Sequence, residues 1–150
     1  VILKKKSGRD IRQFLVDTNL FIAAIKNPIK ETASLRLLME LVDSTSIALL
    51  GNEFLIMEME KYAQVFESKR GKEILQKLID RIKVADVDEK FLRLCKSYFP
   101  EEELIDLYHA ATCLQEGAVL ITNDRHFDKI NDEKIIEVWS ISKAIKEFKI

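Results

Sequence analysis

Two short apolar runs of this sequence each end in an acid: Phe14-Leu15-Val16-Asp17 and Leu120-Ile121-Thr122-Asn123-Asp124. If both runs are adjacent parallel strands, their carboxylates project from one edge of a sheet. Taken singly, each acid reads equally well as the cap of the turn or helix that follows it. Asp106 has a different setting. On a helical wheel it falls beside Ala110 and Cys113, with His109 at i+3, away from a stripe of Leu104, Leu107, Tyr108, Ala111 and Leu114. Small neighbours let a strand approach a carboxylate, whereas a solvated acid usually has charged companions. Glu58 lies at the rim of the stripe Leu55, Met59, Tyr62 and Phe66; Glu53 and Glu60 point farther toward solvent and remain alternatives. Carboxylates gathered at one edge raise one another's pKa and need a cation to stay ionised together. All-oxygen ligands select a hard ion, Mg²⁺ or Mn²⁺, over zinc. Such a centre ionises water and neutralises charge on a phosphoryl group, the chemistry of metal-assisted phosphodiester hydrolysis.

The elements that must carry these acids are short apolar strands alternating with helices. Apolar segments at Phe14–Val16, Thr45–Leu50, Val84–Val87, Ala118–Ile121 and Ile135–Trp139 read as strands. Thr18 and Asn19 suit the N-cap of a helix over Leu20–Ile25, closed by Pro28. A second helix runs through Leu35 to Val42, and Asn52 caps a third through Leu55, Met59, Tyr62 and Phe66. Further helices carry Ile74 to Ile82, Leu92 to Cys95 behind an Asp88 cap, and Glu103 to Glu116, which Gly117 stops. A last helix ends near Phe148. The alternation predicts an α/β fold whose central parallel sheet is covered by helices on both faces. Ligands in such folds bind beyond the carboxyl ends of the strands.

Composition bounds the rest. With 150 residues, 47% hydrophobic and 33% charged, the chain reads as a single domain over residues 1–150, with residues 1–11 as a basic lead-in. No apolar run is long enough for a membrane span. The opening Val1-Ile2-Leu3-Lys4-Lys5-Lys6 lacks the order of a signal peptide, and Cys95 and Cys113 read as core thiols, so a reducing, cytoplasmic setting is expected. Only four glycines occur, too dispersed for a phosphate-cradling loop. A balance of 24 basic and 25 acidic residues excludes a generally basic nucleic-acid coat. Local patches remain: Lys4, Lys5 and Lys6 with Arg9 and Arg12, or Lys69 and Arg70 with Lys72, are candidates for phosphate contact or plain solvated faces. His109 and His126 offer metal or phosphate contacts, but more often such histidines are surface or supporting residues; Trp139 and Tyr108 read as core, and Phe127 as a cover for the cleft edge. Asn19 stands two positions after Asp17, where an aspartyl-nucleophile phosphohydrolase needs a second Asp.

Taken in order, the motifs resemble those of PIN domains. Asp17-Thr18-Asn19 resembles the family's opening motif, and Glu58 within Ile56-Met57-Glu58-Met59-Glu60-Lys61-Tyr62 stands where its second acid falls. Asp106-Leu107-Tyr108-His109-Ala110-Ala111-Thr112 resembles the third-acid helix, and Thr122-Asn123-Asp124-Arg125-His126-Phe127 the T-N-D-x-x-F segment. The likeness runs from about residue 12 to 140. It implies a Rossmann-like, three-layer α/β/α domain and a metal-dependent endoribonuclease site. Asp17, Asp106 and Asp124 would bind Mg²⁺ or Mn²⁺, and Glu58 would bind metal or position the attacking water. Thr18, Asn19, Thr122 and Asn123 would order strand ends, orient carboxylates or touch RNA, with Asp128 a possible extra acid. Single-domain members of this length resemble VapC-type toxins, which pair with a VapB-type antitoxin and form homodimers. The family also offers a single-domain RNA-processing nuclease and a catalytically inactive RNA- or protein-binding module as alternatives.

Overall fold

A computed structural model describes residues 11–27 and 29–150. The basic residues Lys4, Lys5, Lys6 and Arg9, and the expected helix stop at Pro28, lie outside them. Strands β1 (Arg12–Val16), β2 (Ile47–Gly51), β3 (Ile82–Val84), β4 (Val119–Ile121) and β5 (Glu137–Trp139) form one all-parallel sheet in the order β3-β2-β1-β4-β5. The helices are α1 (Thr18–Ile25), α2 (Ala33–Asp43), α3 (Glu53–Phe66), α4 (Lys69–Arg81), α5 (Glu89–Cys95), α6 (Leu104–Glu116), α7 (Asp128–Asp132) and α8 (Ile141–Glu147). Helices α1 to α4 pack on one another and α8 on α2, while α5 packs on α6, and α6 on β1 and β4. The result is the expected α/β class, a parallel sheet with helices on both faces.

The central strands carry continuous apolar runs because both faces are covered there. Phe14, Leu15 and Val16 of β1, Leu49 and Leu50 of β2, and Leu120 and Ile121 of β4 are almost wholly buried. Register fixes what lies at the carboxyl edge: Val16 pairs with Ile121, and Ile121 with Trp139. One residue farther on, Asp17 N–H donates to the Ile121 carbonyl at 3.0 Å and Thr122 N–H to the Trp139 carbonyl at 2.9 Å. Asp17 and Thr122 therefore stand side by side at the point where the chain leaves β1 in one direction for β2 and returns on the other side as β4. That switch point is where an open α/β sheet forms its crevice.

One boundary and one helix face differ from the sequence reading. Ile82, expected to close the fourth helix, instead opens β3 opposite Leu49. The guanidinium of Arg81 explains the break. It donates to the carbonyls of Val42, Ser44 and Ile47, pinning the end of α4 to the α2–β2 turn. The buried face of α6 also differs. Leu104 is 49% exposed, whereas His109, Ala110, Ala111, Thr112 and Cys113 are buried. Large aliphatics mark the wrong centre on this helix, because it lies close to β1 and β4 and only small or hydrogen-bonded side chains fit there.

Gly51 ends β2 for a similar reason: a Cβ there would meet Ile82 Cγ2 at 2.8 Å and Leu55 Cδ2 at 3.0 Å. Gly117 stops α6 in the left-handed conformation, φ 69°, that favours glycine. Cys95 and Cys113 are buried free thiols, and burial pushes the Cys95 thiol up to about 11. Phe127 is fully buried and packs edge-on against Phe99 at 5.5 Å, so it belongs to the core and does not cover the cleft. Among the described residues no helix is long and apolar enough to cross a membrane.

Candidate metal centre

Asp17 is both a helix cap and a site residue. Its Oδ1 accepts the Thr18 backbone N–H at 2.6 Å, so Asp17, rather than Thr18 or Asn19, is the N-cap of α1. Its Oδ2 accepts the Thr122 hydroxyl at 2.7 Å and the Asn19 amide at 3.4 Å. The Thr122 oxygen in turn accepts from Asn19 Nδ2 at 3.0 Å and from the Asp124 N–H at 2.9 Å. Thr122 thus uses its one proton and both lone pairs, which locks the Asp17 rotamer. Only 8% of Asp17 is exposed, and burial raises its carboxyl above the ordinary value against the pull of these hydrogen bonds.

Freed from capping, the Thr18 hydroxyl donates to Glu58 Oε1 at 2.9 Å. Glu58 is therefore the acid of α3 that turns toward Asp17, while Glu53 and Glu60 are exposed. Its carboxyl is held below the ordinary value, by His109 first and then by the Thr18 hydroxyl, against partial burial.

His109 is fully buried, and a chain of hydrogen bonds sets its proton. Asn52 Oδ1 accepts the Leu55 N–H at 2.9 Å as the cap of α3. Its Nδ2 must then donate, to Thr112 Oγ1 at 3.0 Å and to His109 Nδ1 at 3.1 Å. Thr112 spends its own proton on the Tyr108 carbonyl at 2.6 Å, which confirms the direction. An Nδ1–H would meet the amide protons of Asn52, so the imidazole carries its hydrogen on Nε2. That nitrogen has no hydrogen-bond partner and stands 3.8 Å from Glu58 Oε1.

A second group lies toward solvent. His126 Nδ1 stands 2.9 Å from Asp106 Oδ2 and 3.3 Å from Asp124 Oδ1, and its Nε2 is 3.1 Å from Glu103 Oε1. Asp124 also caps its own turn, accepting the His126 N–H at 2.9 Å. The Asp106 hydrogen bond raises the His126 pKa, helped by the charges of Asp124 and Glu103. Asp106 is itself raised, by burial first and then by the charges of Asp124 and Asp17. Those charges link the two groups into one acidic edge. Within each set, Asp17/Glu58/His109 and Glu103/Asp106/His126, one ligand atom per residue lies within 4.8 Å of the others.

Of the residues singled out in the sequence, Asp17, Thr18, Asn19, Glu58, Asp106, Thr122 and Asp124 meet along this edge. Asn123 instead accepts the Ile141 N–H at 2.9 Å and holds the start of α8. Asp128 pairs with exposed Arg125 at 3.5 Å and joins neither group. Glu103, the contact of Asn52 with His109 and the burial of His109 are absent from the sequence reading. Glu103 is one of three consecutive glutamates, with nothing in the sequence to distinguish it.

The donor set fits a hard divalent cation. Carboxylate oxygens predominate, two of the acids are raised by burial and mutual repulsion, and the Asn19 Oδ1 oxygen is buried without a partner.

The model of the PIN domain family matches residues 14–133. No curated protein matches the chain. Among solved structures, VapBC2 from Rickettsia felis, bound to a DNA fragment from its promoter, superposes with a TM-score of 0.56 at 19% identity, covering 85% of this chain and 98% of that one. VapBC-1 from nontypeable Haemophilus influenzae gives a TM-score of 0.56 at 22% identity, covering 87% and 99%. At these identities the likeness is one of fold.

Proposed function

The chain belongs to the PIN domain family, and from that premise we propose that it is a metal-dependent endoribonuclease, the toxin of a VapBC-type toxin–antitoxin pair. The observation that supports the chemistry is the gathering of Asp17, Glu58, Asp106 and Asp124 along one sheet edge, with the Asp17 and Asp106 carboxyls raised chiefly by burial. Asp17, Asp106 and Asp124 would hold Mg²⁺ or Mn²⁺. A bound ion of this kind supplies a water ionised near neutral pH and charge neutralisation at the phosphoryl group.

The chain's own residues do the rest. Thr122 and Asn19 hold Asp17 in one rotamer at the edge. Glu58, kept ionised by Thr18 and His109, is placed to orient a water and receive its proton. Asn52 keeps the His109 hydrogen on Nε2, facing Glu58. The unrelieved acids repel an RNA phosphate until a cation is present, which makes cleavage metal-dependent.

The fold likeness to VapBC structures supports a VapB-like antitoxin as partner; a homodimeric toxin in the cytoplasm completes the proposal. The test is cleavage of mixed single-stranded and structured RNAs in Mn²⁺, Mg²⁺ or EDTA, beside the double variant Asp17→Asn, Asp124→Asn. Cleavage that needs metal and vanishes in the variant is the expected result. A folded protein that neither binds Mn²⁺ nor cuts would leave an inactive RNA- or protein-binding module instead.

A further inference from the structure

A cavity of about 510 Å³ opens beside the acidic edge, where α3 begins and β3 ends. Its walls are Glu53 and Phe54 of α3, Tyr108 of α6, Val84 at the end of β3, and Asp86 and Val87 after it, with Asn52 adjoining. Phe54 and Tyr108 meet edge to face, ring centroids 4.7 Å apart at 64°. Asn52 joins this cavity to the site, because its amide also holds His109. Phe54 and Glu58 are four residues apart on one helix, so the Phe54 side chain starts one turn, about 6 Å, from that acid.

The opposite wall is built in advance. Ala85 N–H donates to the Gly51 carbonyl at 2.8 Å. Gln115 clamps the loop, donating to the Asp86 carbonyl at 3.0 Å and accepting the Asp88 N–H at 2.7 Å. Asp86 therefore uses its backbone, not its carboxylate, to hold the wall. Among the described residues no ion pair engages Asp86 or Glu53, and no lysine, arginine or histidine lines the cavity.

From this lining we propose that the cavity is a nucleobase subsite that favours guanine, next to the bond being cut; it rests on the ribonuclease reading above. An unbalanced acidic wall rejects a phosphate. Aromatic rings offer a stacking surface to a base splayed out of a single strand. Ionised carboxylates only accept hydrogen bonds, so the edge they read must donate. Guanine presents two adjacent donors, N1–H and N2–H, which one carboxylate can take together. Adenine and cytosine offer a single exocyclic amine there, and uracil a single ring N–H. Position and selectivity thus come from different residues: Phe54 and Tyr108 hold a ring, and Asp86 selects it.

The experiment is an NMR titration of ¹⁵N-labelled protein in EDTA with guanosine, adenosine, cytidine and uridine, and with N-acetylarginine amide. Alongside it, cleavage in Mn²⁺ is measured on RNA oligomers differing in one guanine. Guanosine is expected to shift the amides of Phe54, Ala85, Val87 and Tyr108 and to bind at least tenfold tighter than the other nucleosides. Asp86→Asn should cut the guanine-to-adenine ratio of kcat/KM by tenfold or more, and Phe54→Leu should weaken all bases alike. Equal shifts for all four nucleosides, or none, overturn the proposal, as does stronger binding of the arginine amide, which would mark a site for a cationic peptide. RNA cleavage with no base preference and no effect of Asp86→Asn removes the subsite and leaves the nuclease. Guanine-selective binding without any cleavage keeps the subsite and removes the nuclease.

Discussion

Two groups of like composition, each with two carboxylates and one imidazole, occupy the same sheet edge in opposite settings. In Asp17/Glu58/His109 the histidine is buried, and an amide 57 residues away in sequence dictates which nitrogen carries the hydrogen. In Glu103/Asp106/His126 the histidine side chain is 51% exposed and faces three acids with both nitrogens. The buried group is constrained by donors, the exposed one by charge. An imidazole in such company acts as a fixed dipole in the first case and as a mobile counter-ion in the second. Neutralisation of the acids is thus already partly provided on the solvent side and lacking on the buried side.

The largest test of this contrast is Asp17→Asn. Losing one buried ligand should lower metal-dependent cleavage by about 10² to 10³-fold. The same change should raise the melting temperature of the metal-free protein, by about 3 °C, because a raised carboxyl is replaced by a neutral cap. A drop in stability instead would show that the Asp17 charge is already balanced without a cation.

A pH series comes next. Asp17 and Asp106 are raised in the fold, so the native state binds their protons more tightly than the unfolded chain does. Their contribution to stability is complete below the unfolded carboxylate value and is lost as pH rises through the folded value. Melting curves of metal-free protein should show this loss, and Mn²⁺ should stabilise more at pH 7.5 than at pH 5. Equal stabilisation at both would break the link between acid repulsion and cation binding.

Asn52→Ala removes a helix cap and leaves buried His109 Nδ1 without its donor, which should cost about 2 kcal/mol. Imidazole ¹⁵N shifts in the parent protein should show His109 with its hydrogen on Nε2 while His126 carries both. An Nδ1–H form of His109 would contradict the Asn52 orientation. The smallest effect is expected of His126→Gln. Its exposed pairs are screened, so metal-free stability should change by under about 1 kcal/mol, with less salt dependence than in the parent protein.

The contrast also explains what could be read in advance. Strands β1, β2 and β4 are apolar because both of their faces are covered, so their positions were legible, and with them the acids that follow β1 and β4. The caps Asn52 and Asp88 and the stop at Gly117 were local signals and were found. The face of α6 was not, because burial there selects small residues and a satisfied histidine, and a pattern search weights large aliphatics. Asn52 was read as a cap, but its second task depends on a partner fixed by tertiary packing. Glu103 depends on where the turn after Pro100 places one of three equal side chains.

The sheet order has a consequence for a chain still being synthesised. β1 lies between β2, which follows it closely, and β4, and Thr122, which locks Asp17, comes 105 residues later. A ribosome-bound chain that has not yet released β4 has neither Thr122 nor Asp124 beside Asp17, and one edge of β1 is unpaired. Such long-range pairing is slow to form. The acidic edge is therefore completed only after β4 and the turn that follows it have left the exit tunnel, whereas β1 and β2 can pair earlier.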